Sequence, residues 1–325
     1  MKAIVYTKYG SPDVLQLQEV AKPEPKENQV LVKVHAASIN ALDYRRFEKL
    51  STMGRFMEER FIKSVGKVLG ADIAGVVEAV GANVKQFRPG DEVFGVAIGS
   101  SGGFAEYACA SEDRLALKPS NLSFEAAAAV PVAALTALQG LRDKGQIQAG
   151  QKVLINGASG GVGTFAVQIA NAFETEVTAV CSTRNLDMAR SSGADHVIDY
   201  TKEDFTPNGQ RYDLIFAVNG YHPLSAYRRA LSPLGRYVCA GGALSQIFQA
   251  MLLGPLMSVT GGKKMGFMWI TKPNQQDLLH LGQLLETGKI VPVLEQCYPL
   301  GEVTAAMQYL ATGHARGKVI VQISA

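Results

Sequence analysis

The feature that most constrains this chain is the run Asn156-Gly157-Ala158-Ser159-Gly160-Gly161-Val162-Gly163. It follows Val153-Leu154-Ile155, a β-type apolar run, and opens a helical segment from Val162 to Phe173. A tight turn of small residues between strand and helix lets the backbone approach a pyrophosphate. The helix start then offers N–H groups without intrahelical acceptors, and a favourable dipole. Ala158, Gly160 and Gly163 stand at the three small-residue positions of such a turn, with Ala for the first Gly, and Ser159, Gly161 and Val162 complete it. A glycine turn serving only packing would not need the strand before it, the helix after it and the βα series that follows. Dinucleotide binding is therefore the reading.

The next strand, Glu176 to Val180, refines it. A site that prefers NAD places an acid at the end of this strand, about 20 residues on, to hold the ribose 2′-hydroxyl. Here the chain reads Cys181-Ser182-Thr183-Arg184-Asn185. Two hydroxyls and a guanidinium replace the acid, which suits a 2′-phosphate and hence NADPH. The competing reading is an ordinary surface arginine at the start of the next helix.

Around this loop the texture of the chain changes once. Before about Ser123 there are short β-type runs, such as Val30 to Val34, Gly75 to Val80 and Asp91 to Phe94, separated by turns such as Arg88-Pro89-Gly90-Asp91. They predict a small β domain with a partly open barrel. After it, an Ala-rich segment from Glu125 to Leu141 reads as one helix. Strands at 196–198, 214–218 and 236–239 then alternate with helices such as Leu186 to Ser191, and Met265 to Ile270 reads as a further edge strand. Repeated βα units imply a doubly wound parallel sheet. The expected division is 1–122 for the β domain, with 272–325 returning to it through a helix (Asp277 to Leu285) and a strand (Lys318 to Ile323), and 123–271 for the Rossmann domain.

Composition excludes several classes. The net charge is +3 with basic residues scattered, so the footprint of a nucleic-acid binder is missing. The N-terminal MKAIVYTKYG reads as a strand rather than a secretory leader. The most apolar stretch, Ile247 to Val259, is interrupted by Gly254-Pro255 and falls short of the roughly 20 residues a spanning helix needs. It reads as a pocket wall or a subunit contact. The four cysteines, Cys109, Cys181, Cys239 and Cys297, form no CxxC pair. They read as reduced thiols in a cytoplasmic or similarly reducing compartment.

The motifs together resemble the medium-chain dehydrogenase/reductase superfamily along almost the whole chain. The landmarks are Ser38-Ile39-Asn40-Ala41-Leu42-Asp43, Gly70-Ala71-Asp72-Ile73-Ala74-Gly75, Gly90 to Gly95, Gly103 to Tyr107, Pro131 to Leu138, the glycine loop, Ser192 to Asp195 and Gly313 to Lys318. Within it the chain is most similar to the zinc-free quinone oxidoreductases, with the 182–185 turn and the stretch His196 to Phe205 resembling chloroplast-envelope quinone oxidoreductase homologues and plant enone reductases. The resemblance implies a GroES-like barrel with a Rossmann domain. It also implies 2′-phosphate contacts from Ser182, Arg184 and Tyr200, and places Thr136, Asn219 and Gly241 near the nicotinamide. Arg316 and Lys318 are further cofactor candidates, Asn40, Asp43 and Tyr44 would form the active-site wall, and the assembly would be a homodimer. Zinc alcohol dehydrogenases of the superfamily carry Cys where this chain has Asn40, and His-Glu where it has Ala71-Asp72. No metal is therefore expected.

The segment from Phe47 to Lys67 is longer than the usual link. Met57 and Phe61 would share one face of a helix there, either as a surface helix or as a lid over the substrate. The expected activity is hydride transfer from NADPH to an apolar quinone or enone. Against it stand an idle NADPH-binding sensor, a zinc alcohol dehydrogenase and a short-chain reductase. The last would need a Tyr-x-x-x-Lys pair after the loop, and none follows it.

Overall fold

A computed structural model of the chain describes residues 1–6, 8, 10–47, 68–97, 101–259, 261–268 and 271–323. Phe56, Met57 and Phe61 of the long segment lie outside the described residues, as do Trp269 and Ile270 at the end of the expected edge strand.

In chain order the strands are β1 (Lys2–Tyr6), β2 (Leu15–Glu19), β3 (Gln29–Ser38), β4 (Asp72–Val80), β5 (Glu92–Val96), β6 (Tyr107–Ser111) and β7 (Leu115–Leu117), followed by β8 (Lys152–Asn156), β9 (Glu176–Cys181), β10 (His196–Asp199), β11 (Tyr212–Ala217), β12 (Leu231–Cys239) and β13 (Lys264–Phe267), and finally β14 (Leu294–Pro299) and β15 (Lys318–Gln322). The chain forms two compact units. One comprises Met1–Val132, Pro273–Glu286 and Leu294–Ala325, and the other Ala133–Lys272 and Thr287–Val293.

The first unit is built on β3. Its alternating Val30, Val32 and Val34 bury into a core with Ile73, Val77, Phe87 and Val93. One edge of β3 pairs with β4 along its length, while the other pairs with β6 over Gln29–Lys33 and then with β15 over Ala36–Ser38. Two register shifts against β4 let the strand bend enough to serve both neighbours. Gly75 sits at this bend, where a Cβ would lie 2.1 Å from the Lys33 carbonyl oxygen. The resulting seven-stranded sheet runs β14-β15-β3-β4-β5-β7, with β6 beside β3.

The second unit is a parallel six-stranded sheet in the order β10-β9-β8-β11-β12-β13. The first strand in sequence, β8, is central, and the order reverses between β8 and β11. That reversal is the topological switch point at which open α/β sheets take their ligands. The register aligns Asn156 with Val180 and Ala217, so the carboxyl ends of β8, β9 and β11 finish side by side.

One local expectation is corrected. The Ala-rich segment is two helices, Phe124–Ala128 and Pro131–Gln139, rather than one. Pro131 has no N–H to continue the first helix, and its fixed φ suits the start of the second. Ile247 to Val259 belongs largely to the helix Leu244–Met257, which buries only Gln246, Ala250 and Gly254 and leaves Leu252, Leu253 and Leu256 exposed. No described helix is long and apolar enough to cross a membrane.

Candidate active site

The glycine loop lies at the switch point. After β8 the chain turns at Gly157, with φ at 87°, and the Ala158 N–H donates to the Val180 carbonyl at 3.0 Å. A Cβ at Gly157 would sit 2.7 Å from Cβ of Asn219, so the loop abuts the end of β11. One at Gly163 would sit 2.1 Å from the Gly157 carbonyl oxygen, because the turn closes onto the helix Gly161–Ala172 there. Gly160 differs: its nearest neighbour would be 3.9 Å away, on the open side. No side chain caps this helix. The first N–H groups, on Gly161, Val162 and Gly163, have no intrahelical acceptor and suit an anion. Ser159 is half-buried beside them, whereas Ala158 is buried and serves the packing of the turn. The open face at Gly160 and the uncapped amides fit the pyrophosphate of NADPH, which would be held by residues 159–163.

The turn expected to take the 2′-phosphate forms where β9 and β10 end as neighbours, with Cys181 opposite Asp199. Ser182 Oγ accepts from the Asn185 amide at 3.2 Å, so its own proton points elsewhere. Arg184 and Tyr200 are exposed at the same edge. Thr183 is exposed, and its hydroxyl donates to Asp199. The Thr201 hydroxyl and amide reach the same carboxylate at 2.7 and 3.0 Å. The Thr183 hydroxyl, ahead of Thr201 and Lys202, holds the Asp199 carboxyl down to about 2 against the upward push of burial. Sequence reasoning missed Asp199, whose only signal was its place beside Tyr200.

Asn219 and Gly241 lie at the same end of the sheet. The Asn219 N–H donates to the Asn156 carbonyl at 3.2 Å, and Gly241 passes so close to Val218 that a Cβ would fall 2.5 Å from its carbonyl oxygen. Thr136, on the helix Pro131–Gln139, shares a 2.6 Å hydrogen bond with Thr271.

In the first unit the Asn40, Asp43 and Tyr44 candidates open the helix Ala41–Phe47. The Asn40 N–H donates to Asp43 Oδ2 at 2.9 Å, while the Asp43 and Tyr44 N–H groups donate to the Asn40 carbonyl at 3.0 and 3.4 Å. Asp43 thus caps the helix start, as the acid three residues in does in a capping box. The Asn40 amide is committed as well. Its Nδ2 donates to Asp72 at 2.9 Å and its Oδ1 accepts from Lys318 at 2.7 Å. Lys318 is 3% exposed and bonded within its own unit, to Ile39, Asn40 and Asp72. Arg316 is half-buried, with its N–H donating to Glu295 at 2.5 Å. Tyr44 packs against the core of Ile39, Leu69 and Met307.

The residues at the zinc positions do not fit a metal. An ammonium already occupies the Asn40–Asp72 pair. Among the described residues no three His, Cys, Asp or Glu side chains gather as a metal site.

Residues 26–120 match the family described as Alcohol dehydrogenase GroES-like domain, and 192–321 the one described as Zinc-binding dehydrogenase. The 2-methylene-furan-3-one reductase of Solanum lycopersicum is 37% identical, over 99% of this chain and 79% of its own length. The chain belongs to the medium-chain dehydrogenase/reductase superfamily. Another of its members, the chloroplastic NADPH-dependent alkenal/one oxidoreductase of Arabidopsis thaliana, is 35% identical over 99% of this chain and 79% of its own. The superfamily fold returns in the quinone oxidoreductase from Coxiella burnetii, with a TM-score of 0.88 at 30% identity, covering 100% of this chain and 99% of that one.

Proposed function

We propose that the protein is a zinc-independent, NADPH-dependent reductase that delivers hydride to quinones or to the C=C bond of α,β-unsaturated carbonyls. The observation that carries this reading is the Asn40–Asp72–Lys318 network. Zinc relatives offer a Lewis acid at these positions, and this chain offers an ammonium sealed by its own carboxylate. A simple carbonyl builds negative charge on one oxygen as it accepts hydride, and enzymes meet that charge with a metal or an oxyanion pocket. A conjugated acceptor spreads the charge along its own π system. The names of the relatives, a furanone reductase, an alkenal/one oxidoreductase and a quinone oxidoreductase, support the same class.

NADPH supplies the hydride when bound. Residues 159–163 bind its pyrophosphate, Ser182, Arg184 and Tyr200 hold its 2′-phosphate, and Asn219, Gly241 and Thr136 bound the nicotinamide half. Both ends of the Asn40 amide are engaged within the first unit, and the proton comes from water. A homodimer and a reducing, cytoplasm-like compartment belong to the same reading. Three buried thiols support the compartment, beside a relative whose name places it in the chloroplast.

The test compares a saturated ketone, its α,β-unsaturated counterpart and a small quinone, each with NADPH. The enone and the quinone turn over, and the enone yields the saturated ketone. An allylic alcohol as product, or equal turnover of the saturated ketone, overturns the reading. NADPH binding without turnover of any acceptor identifies an idle binding protein.

A further inference from the structure

The first unit holds a buried ion pair that the hydride chemistry does not use directly. Lys318 is 3% exposed and Asp72 fully buried. The ammonium donates to the Ile39 carbonyl at 3.2 Å, to Asn40 Oδ1 at 2.7 Å and to Asp72 Oδ2 at 3.4 Å. The carboxylate also accepts from the Ser38 hydroxyl at 2.7 Å, the Asn40 amide at 2.9 Å and, on its other oxygen, the Val132 N–H at 2.9 Å. Desolvating two charges costs about as much as their attraction returns, so such a pair is poorly explained as a source of stability. Its best-attested use is to fix one arrangement among several. Here the arrangement is visible. Both ends of the Asn40 side chain are gripped, and Asn40 starts the helix that carries Asp43 and Tyr44.

We propose that Lys318 and Asp72 are positioning residues of the reductase: an internal ammonium–carboxylate pair that takes over the organising role of the metal in zinc relatives and fixes the segment Asn40 to Tyr44 for turnover of the acceptor. The inference rests on the reductase reading. Two carboxylates face the ammonium, Asp72 from β4 and Asp43 from the helix start. They oppose the burial that favours its neutral form.

The variants are Lys318→Met, Asp72→Asn and the two combined, which is uncharged and close to isosteric. Each is followed by thermal melting, NADPH titration and enone kinetics. Expected for Lys318→Met and for the double variant is a kcat lower by about tenfold to a hundredfold, the size of a misplacement near 1 Å, with NADPH affinity within about twofold of wild type. In Asp72→Asn the lysine keeps its burial but loses its main counter-charge. The alkaline limb of its kcat profile therefore moves to lower pH. A folded, NADPH-binding double variant with wild-type kcat, or an unmoved alkaline limb in Asp72→Asn, overturns the proposal. A wild type inert to every acceptor overturns the reductase reading and the proposal with it, whereas wild-type turnover matched by the double variant overturns the proposal alone.

Discussion

At the scale of single residues, the turn after β9 shows how a buried acid ties two threonines together. Asp199 lies 6% exposed beneath the turn and ties Thr183 to Thr201. Its carboxyl falls to about 2, mainly through the Thr183 hydroxyl, whereas an unfolded aspartate titrates near ~3.9. Between those values the unfolded chain binds the extra proton, so the contribution of Asp199 is full above pH ~4 and is lost as pH falls toward ~2. Asp199→Asn should lower the melting temperature at neutral pH and weaken NADPH more than NADH. The melting difference should close across that acid window, and a difference constant with pH would show that the carboxylate charge does not hold the turn. Ser182 and Arg184 were legible in the sequence because their types, at a strand end after a glycine loop, answer to a phosphate. Asp199 and the Lys318–Asp72 pair were not. The pair is 246 positions apart in the chain, and Asp199 matters through a strand pairing that no local pattern announces.

At the scale of elements, the phosphate loop separates glycines needed for the fold from one that faces outward. Gly160 has φ −81° and ψ 175°, which any residue adopts, and its Cβ would meet nothing nearer than 3.9 Å. Gly160→Ala should melt like wild type yet bind NADPH about tenfold more weakly, a loss of about 1.4 kcal/mol. Gly163→Ala places its Cβ 2.1 Å from backbone, so the loop or the helix must shift. It should cost roughly 1–3 kcal/mol of stability even without cofactor. Melting curves with and without NADPH separate the two, and wild-type affinity in Gly160→Ala would mean that the open side is not where the cofactor lies. The strands and helices around this loop were readable because buried parallel strands are continuous apolar runs. β14 was not, since Leu294–Pro299 is largely exposed and offers no alternation. The break in the Ala-rich segment was signalled by Pro131, and the apolar run across it masked the signal.

At the scale of the whole molecule, the parallel sheet ends on β13, which among the described residues pairs with β12 alone. An unpaired edge with apolar neighbours is a template for another chain, and proteins cover such edges. Part of this edge is covered from within. The Met265 N–H donates to the Ser258 hydroxyl at 2.8 Å, and that hydroxyl also approaches the Met265 carbonyl at 3.1 Å. The helix before β13 exposes Leu252 by 62% and Leu256 by 68%, while its buried stripe is only Gln246, Ala250 and Gly254. Exposed leucines beside an open edge are the composition of an interface that a second copy would bury. Light scattering at micromolar concentration should give twice the 34.7 kDa of one chain. Leu252→Asp combined with Leu256→Asp removes two side chains that contribute little to the monomer core, so it should shift the mass toward one chain without unfolding it. A wild type that scatters as a single chain, or a double variant that stays at twice that mass, would mean that these leucines are not the contact.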